Sequence, residues 1–450
     1  LKSDGTVWAW GNNSSGQLGN SNATSQTTPM KCTGLEGIIK IAAGDSHALA
    51  LDNDGTVWSW GRNSSGQLGD GTTTNRSSCV QVSGLSGVAQ IAAGTSHSVA
   101  LKGGSLHDYV CTWGDNAQGQ LGNGSNVSSC TPIINYTFEN VSSIAAGGNN
   151  TAAVKSDGTA WTWGYNYYGQ LGNGLNDNRR APVKVSGIYN IEQIAVGDEH
   201  MLFLQTGGNV YACRYNYYGA LGDGTETNSN VPVLISTLSG VTEIAAGYDC
   251  SAAIDTVSDL WSWGNNSYGQ MGDGYTTQVS SPSSIINPNG AVKNVRTGSN
   301  FTMVLYQDGT VWMCGDNRRG QLGNTDLSNK SFLTKVEGLN NVKGIAAGSE
   351  FALALKTDGT VWAWGNNQYG QLGNGTSTSS SVPTQIPGLT DVKQIDAGRN
   401  FAMALKTTGT VWMWGCNDSG QLGNGTNIDS NTPVQVSNLY GITSIAAATY

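Results

Sequence analysis

Three histidines, His47, His97 and His200, stand at one position of a recurring pattern, and imidazoles held in register could ligate a metal or relay protons. The same position holds Asn150, Cys250, Phe301, Phe351 and Phe401 in other copies. A place that alternates imidazole with phenyl is a packing slot, so no metal is expected there. His107 lies in a short insertion with no partner nearby in the sequence. Asp52-Asn-Asp-Gly55 resembles the start of a calcium loop but lacks the downstream Glu, and it reads as the tight turn of a hairpin. There is no Gly-x-Ser-x-Gly, no phosphate loop, no persuasive Ser/His/Asp arrangement and no Cys-x-x-Cys pair. Neither a catalytic group nor a cofactor is expected.

The chemistry that the residue types do support is recognition. Two residues just before a recurring Gly vary from copy to copy while their neighbours hardly change, which marks exposed positions on a rigid scaffold. In the middle of the chain they bring Tyr165, Tyr167 and Tyr168, then Arg214, Tyr215, Tyr217 and Tyr218, then Tyr268, then Arg318 and Arg319. Tyr and Arg are enriched in interface hot spots because each offers a large contact area with a polar end. These residues are the candidate binding site. The competing expectation is that the rings only pack over the edge of the framework.

The framework is the stretch Gly55-Thr-Val-Trp-Ser-Trp-Gly61 with Arg62-Asn-Ser-Ser-Gly-Gln-Leu-Gly69, recurring nine times. The marker glycines are Gly16, Gly66, Gly119, Gly169, Gly219, Gly269, Gly320, Gly370 and Gly420, roughly 50 residues apart. A unit of this size cannot bury its apolar face alone and must stack on its neighbours. The units are residues 1–50, 51–100, 101–153, 154–203, 204–253, 254–304, 305–354, 355–404 and 405–450, and the unbroken period argues for a single domain over 1–450.

Within one unit, Ile38–Gly44 ends in small residues and suits an innermost strand. Ser46–Leu51 alternates as a second strand, Thr56–Trp60 is a third, and Cys79–Val82 is an outer fourth headed in most copies by Pro. Four antiparallel strands repeated radially predict an all-β fold, a closed β-propeller of nine four-stranded blades. The chain opens before a third strand at Leu1 and stops in a first strand, Ile445–Tyr450, so one composite blade built from both ends, incomplete at its second strand, is expected to close the ring. A start in mid-repeat without Met also points to a preceding segment, a signal peptide or further domains.

All 14 Trp stand at two positions of the third strand, two residues apart and therefore on one face. They are core, holding each blade to the next. Asn13, Asn63, Asn116, Asn166, Asn216, Asn266, Asn317, Asn367 and Asn417 lie three residues before each marker Gly and are expected to organise the loop through side chain to backbone hydrogen bonds.

Lys and Arg number 22 against 31 Asp and Glu, a net charge of −9, so no polycationic surface exists for nucleic acid. No apolar run reaches the ~20 residues that span a bilayer, and membrane insertion is not expected. The 8 Cys fall at mostly non-equivalent positions and do not argue for disulfides.

Gly44-Asp-Ser-His-Ala-Leu-Ala-Leu51, Asp-Gly-Thr-Val-Trp-Ser-Trp-Gly61 and Asn63-Ser-Ser-Gly-Gln-Leu-Gly69 resemble the repeat of the regulator of chromosome condensation family across all nine units. The resemblance implies a propeller and, through the family's best-known activity, guanine nucleotide exchange on a small GTPase. The wedge and basic tail tied to that activity have no counterpart here; the insertions are only about three residues at Gly103–Tyr109 and one in the sixth unit. The near-identical, Ser/Thr/Asn-rich repeats look more like those of bacterial members, many of them exported or surface-anchored. The expectation is a monomeric, non-catalytic scaffold that binds a protein partner, extracellular or on a bacterial surface. The alternatives are an exchange factor, a glycan-binding module and a cytoplasmic location.

Overall fold

The computed structural model describes residues 1–2, 4–104, 107–196, 200–246, 250–285 and 290–447. They form strands, turns and loops, with no helix among them. Across the end of the first repeat unit and the start of the second, Ile38–Ala43, His47–Asp52, Val57–Gly61 and Arg76–Gln81 pair in chain order as one antiparallel sheet. The turn between the middle strands is closed by Asp52, whose Oδ1 accepts the backbone N–H of Asp54 at 3.0 Å and of Thr56 at 2.8 Å. Its Oδ2 accepts Trp58 Nε1–H at 3.1 Å. Both oxygens of the calcium-like motif thus serve the chain's own donors.

Nine sheets result, one for each repeat, and they are the blades of a β-propeller fold. Eight have four strands; the first has two, Trp8–Gly11 and Gln26–Lys31. Residues 445–447, where the C-terminal first strand is expected to begin, carry no strand. In the complete sheets a first strand pairs with a second, as Ile38–Ala43 does with His47–Asp52, and the two-stranded sheet of Trp8–Gly11 and Gln26–Lys31 holds neither. Residues 448–450 of that expectation lie outside the described ones.

A second correction concerns the outer strand. It begins before the proline, so that Pro29, Pro182, Pro383 and Pro433 stand inside Gln26–Lys31, Arg179–Lys184, Ser380–Gln385 and Ser430–Gln435. The register against the third strand shifts there, with Thr162 opposite Val183 and Gly164 opposite Arg179. A residue without an N–H fits such an irregularity because no ladder bond is asked of it.

The chain divides into two compact units, Leu1–Ile191 with Ser229–Pro232, and Glu192–Asn228 with Val233–Tyr450. In each, successive blades are joined by the second tryptophan of the third strand. Within the first unit the Nε1–H groups of Trp60, Trp113 and Trp163 donate to the carbonyl oxygens of Gln17, Gln67 and Gln120 in the preceding repeat, each at 2.9 Å. Within the second, Trp263 reaches Ala220 at 2.8 Å, while Trp364 and Trp414 reach Gln321 and Gln371 at 2.9 Å. Burying one such ring contributes roughly 4–6 kcal/mol by area. The added hydrogen bond satisfies the N–H of this second tryptophan and fixes the register of one repeat on the next, whereas the first-position Trp362 and Trp412 keep a buried Nε1 without a partner.

Candidate functional site

The loop after each Trp-Gly is built around the buried asparagine. In the second repeat Asn63 Nδ2 donates to the carbonyls of Thr72 and Thr74 at 3.0 Å, while its Oδ1 accepts Leu68 N–H at 2.9 Å. Asn116, Asn216, Asn367 and Asn417 repeat this pattern. One side chain therefore spans both ends of a long loop, as its spacing suggested. A further contact pins the segment between Asn and the marker Gly. The Gln after that Gly turns its Oε1 back onto the backbone N–H of the second variable residue, seen at Ser65, Tyr168, Tyr268, Arg319 and Tyr369.

With the backbone held from both sides, the two variable side chains must point outward. Tyr167 is 67 % exposed, Tyr168 51 % and Tyr217 61 %. Tyr165, Tyr215, Tyr218 and Tyr268 are half-buried, and Arg318 and Arg319 are exposed. In the first unit Tyr168 meets Tyr167 edge to face at 4.9 Å between centroids, with Tyr165 at 6.4 Å. In the second, Tyr215 and Tyr217 stack at 6.3 Å, and Tyr217 meets Tyr218 edge to face at 5.0 Å. Arg318 lies 4.9 Å over the Tyr268 ring of the preceding repeat. Its fork grips Asp316, Nε to Oδ1 at 2.9 Å and the terminal nitrogen to Oδ2 at 3.0 Å, and this pairing pushes its pKa upward. Arg319 Nε lies 3.9 Å from Glu350. The candidates thus form an ordered aromatic cluster in the first unit and aromatic and cationic clusters in the second.

Arg214 occupies the place where eight repeats carry glycine. Its φ is +94°, against +103° at Gly61 and +108° at Gly264. A Cβ built on Gly61 would come within 2.4 Å of the Ser46 carbonyl oxygen, which shows why glycine is used there. The same repeat has Ala220 in place of the pinning Gln. The fifth repeat therefore departs from the framework on both sides of its tyrosines.

The histidine slot does more than pack. His47 Nε2 lies 3.0 Å from Ser98 Oγ, His97 Nε2 lies 3.0 Å from Thr151 Oγ1, and His200 Nε2 lies 2.6 Å from Ser251 Oγ. Each hydroxyl in turn donates to the carbonyl oxygen of Gln67, Gln120 or Ala220 at 2.8–2.9 Å. Having given its proton to the carbonyl, the hydroxyl must accept from the imidazole, so the ring carries its hydrogen on Nε2. An imidazole in that tautomer cannot act as base toward this hydroxyl. Burial lowers the pKa of all three histidines to about 4, with the His97 charge adding at His47, Arg214 at His200, and a backbone group at Asn150 opposing at His97. The hydroxyl partners were missed in the sequence, although a signal existed. The residue after the slot is Ser98, Thr151 or Ser251 where the preceding repeat has His, and Ala352 or Ala402 where it has Phe.

His107, with no partner nearby in the sequence, donates its Nδ1–H to Asn140 Oδ1 across 2.8 Å, and its Nε2 lies 3.7 Å from Glu139. All 8 cysteines are free, and no group of three or more His, Cys, Asp or Glu side chains fit to hold a metal occurs among the described residues.

The model of the RCC1-like domain matches residues 1–289, and that of the regulator of chromosome condensation (RCC1) repeat matches 308–355, 358–405 and 408–450. Among solved structures, Prp20p from Saccharomyces cerevisiae, described with its binding to Gsp1p and histones, is 21 % identical over 97 % of this chain and 87 % of its own, with a TM-score of 0.51. Yeast RCC1 (Prp20) bound to Kap60 is 22 % identical over 97 % and 85 %, also at 0.51. Human WBSCR16 is 21 % identical over 99 % and 96 %, at 0.49. Repeat period, blade topology and matched residues agree: the chain belongs to the RCC1 family of β-propeller proteins.

Proposed function

We propose that the chain is a non-catalytic scaffold, displayed on a bacterial surface or exported, that binds a protein partner through the variable residues of its Trp-Gly loops. The observation that carries this reading is the exposure of Tyr167, Tyr168 and Tyr217 on loops pinned by Asn166 and Asn216, with Gln170 adding a second hold at Tyr168. Rings held this way lose little conformational entropy on contact, which is what makes Tyr effective in recognition. The test is capture from extracellular and surface fractions by the intact chain and by Tyr167→Ser/Tyr168→Ser and Tyr217→Ser/Tyr218→Ser variants. A protein held by the intact chain and lost with either pair supports the reading. Equal capture by all three overturns it.

Exchange activity on a small GTPase is the second reading, favoured by the match of the RCC1-like domain over residues 1–289. Acceleration of nucleotide release from a GTPase by the purified chain would support it, and unchanged release would remove it for the GTPases tried.

A further inference from the structure

Five of the seams between repeats are of two chemical kinds, which the chain uses as alternatives; the slots of Asn150 and Cys250 belong to neither kind. In one, a buried imidazole donates to a hydroxyl of the next repeat, as in His47–Ser98, His97–Thr151 and His200–Ser251. In the other, a phenyl ring meets a methyl group, as in Phe301–Ala352 and Phe351–Ala402, which share apolar clusters. Both rings lie on a glycine at the end of the innermost strand. A Cβ on Gly44 would stand 2.3 Å from His47 Cε1, and one on Gly348 would stand 1.9 Å from Phe351 Cε1. The two kinds therefore fill the same space with different chemistry.

The difference lies in what a proton does. Nε2 already carries the hydrogen that meets the hydroxyl, so an added proton must go to Nδ1. In all three histidines Nδ1 is buried and without a hydrogen-bond partner. At His47 and His97 it faces the glycine, with the built Cβ of Gly44 and of Gly94 only 2.6 Å and 2.5 Å from it. The new N–H would be a charged, buried donor with no acceptor, the arrangement an interior tolerates least. The described groups facing the rings supply no carboxylate, and only the Asn150 backbone, at His97, favours the charged form, without offsetting burial. They are the Ser98, Thr151 and Ser251 hydroxyls, the neighbouring His47 and His97 rings, the Asn150 backbone, and for His200 the guanidinium of Arg214 opposite it in the sheet. Among the described residues the histidine found in an ion pair is His107, outside the seams.

We propose that the three histidine seams are acid-labile joints, which loosen on mild acidification while the phenylalanine seams of the same chain stay closed. The first unit holds two of them, His47–Ser98 and His97–Thr151, and the second holds His200–Ser251 beside its two phenyl seams. Acid would thus release particular repeats from their neighbours before the array as a whole unfolds. Any surface formed by adjacent loops across those seams would be released with them.

The experiment is amide hydrogen exchange of the full chain, expressed as protection relative to the unstructured rate, at pH 7 and pH 4.5. Protection of His47–Asp52, His97–Lys102 and Cys250–Asp255 should fall on the order of 50-fold or more, the factor linkage gives for one imidazole kept neutral. Phe351–Lys356 and Phe401–Lys406 should keep theirs. In a His47→Phe/Ser98→Ala variant, which rewrites one seam in the other chemistry, His47–Asp52 should lose its acid sensitivity. A parallel fall at the phenyl seams, or undiminished sensitivity in that variant, would overturn the proposal. If the variant does not fold, imidazole titration by NMR in the unaltered chain decides. An ordinary histidine titration with the seams still protected refutes the proposal, and titration coincident with loss of seam protection upholds it.

Discussion

His47 Nε2 and Ser98 Oγ, 51 residues apart in the chain, lie 3.0 Å from each other in a seam closed to water. The pair is matched elsewhere by Phe301 on Ala352, so the two positions behave as one choice. Ser98→Ala alone should destabilise by about 1–3 kcal/mol, because it leaves a buried imidazole N–H and the Gln67 carbonyl short of partners. His47→Phe alone should also destabilise, because the Ser98 oxygen loses its buried donor while its proton stays on the Gln67 carbonyl. The double variant should recover much of the loss. A urea double-mutant cycle checks this; additive losses would show that the positions are independent.

Acid sensitivity follows from the same histidines. Their folded pKa is about 4 against an ordinary 6.5, so the unfolded chain takes up protons first as pH falls. Stability is fully present above pH 6.5, declines between pH 6.5 and 4, and levels off below. Each imidazole should account for roughly 3 kcal/mol at that plateau. Urea midpoints measured across this window should shift progressively, and the shift should shrink with each His→Phe, Ser/Thr→Ala replacement.

Arg214 holds a left-handed backbone that the other repeats give to glycine. Arg214→Gly should therefore stabilise the chain by about 1 kcal/mol, read as a melting temperature a few degrees higher. Under the proposed function it should also weaken partner binding. Opposite signs for stability and affinity would identify a residue retained for recognition.

Removal of a loop staple should be far more damaging than its single side chain suggests. Asn63→Ala leaves the Thr72 and Thr74 carbonyls and the Leu68 N–H without their partner, at roughly 3 kcal/mol or more. Exchange at residues 62–76 should rise before that of the neighbouring strands.

Tyr217→Ser and Tyr167→Ser, by contrast, should change stability by no more than about 0.5 kcal/mol, since both rings are exposed. Denaturation curves overlaying the parent would show that lost binding reflects the surface. A large destabilisation would make the tyrosines framework.

Much of this was legible in the sequence because the repeat checks itself nine times. The paired tryptophans, the Asp52 turn and the Asn63 staple each rest on local spacing, and local spacing survives into the structure. What escaped was what depends on a partner a full repeat away. Ser98 looks like any strand serine until it is set against His47, and Gln67 shows neither its Oε1 contact to Ser65 nor the carbonyl offered to Trp113. The proline misplacement came from assigning strand ends by composition, where the register shift opposite Gly164 was invisible. The exposed tyrosines were readable as variation, whereas the left-handed backbone at Arg214 was readable only as a missing glycine.

The staple formed by Asn and Gln has a consequence for how such a protein changes over time. Because every contact that holds the loop comes from residues flanking the two variable positions, those positions can be rewritten with little penalty to folding. Each repeat is in effect a socket accepting any two-letter word, and the nine words now read Ser-Ser, Ser-Ser, Ala-Gln, Tyr-Tyr, Tyr-Tyr, Ser-Tyr, Arg-Arg, Gln-Tyr and Asp-Ser. A lineage carrying this frame can search for new partners by point mutation, and a laboratory library confined to the same eighteen positions would start from a chain that already folds.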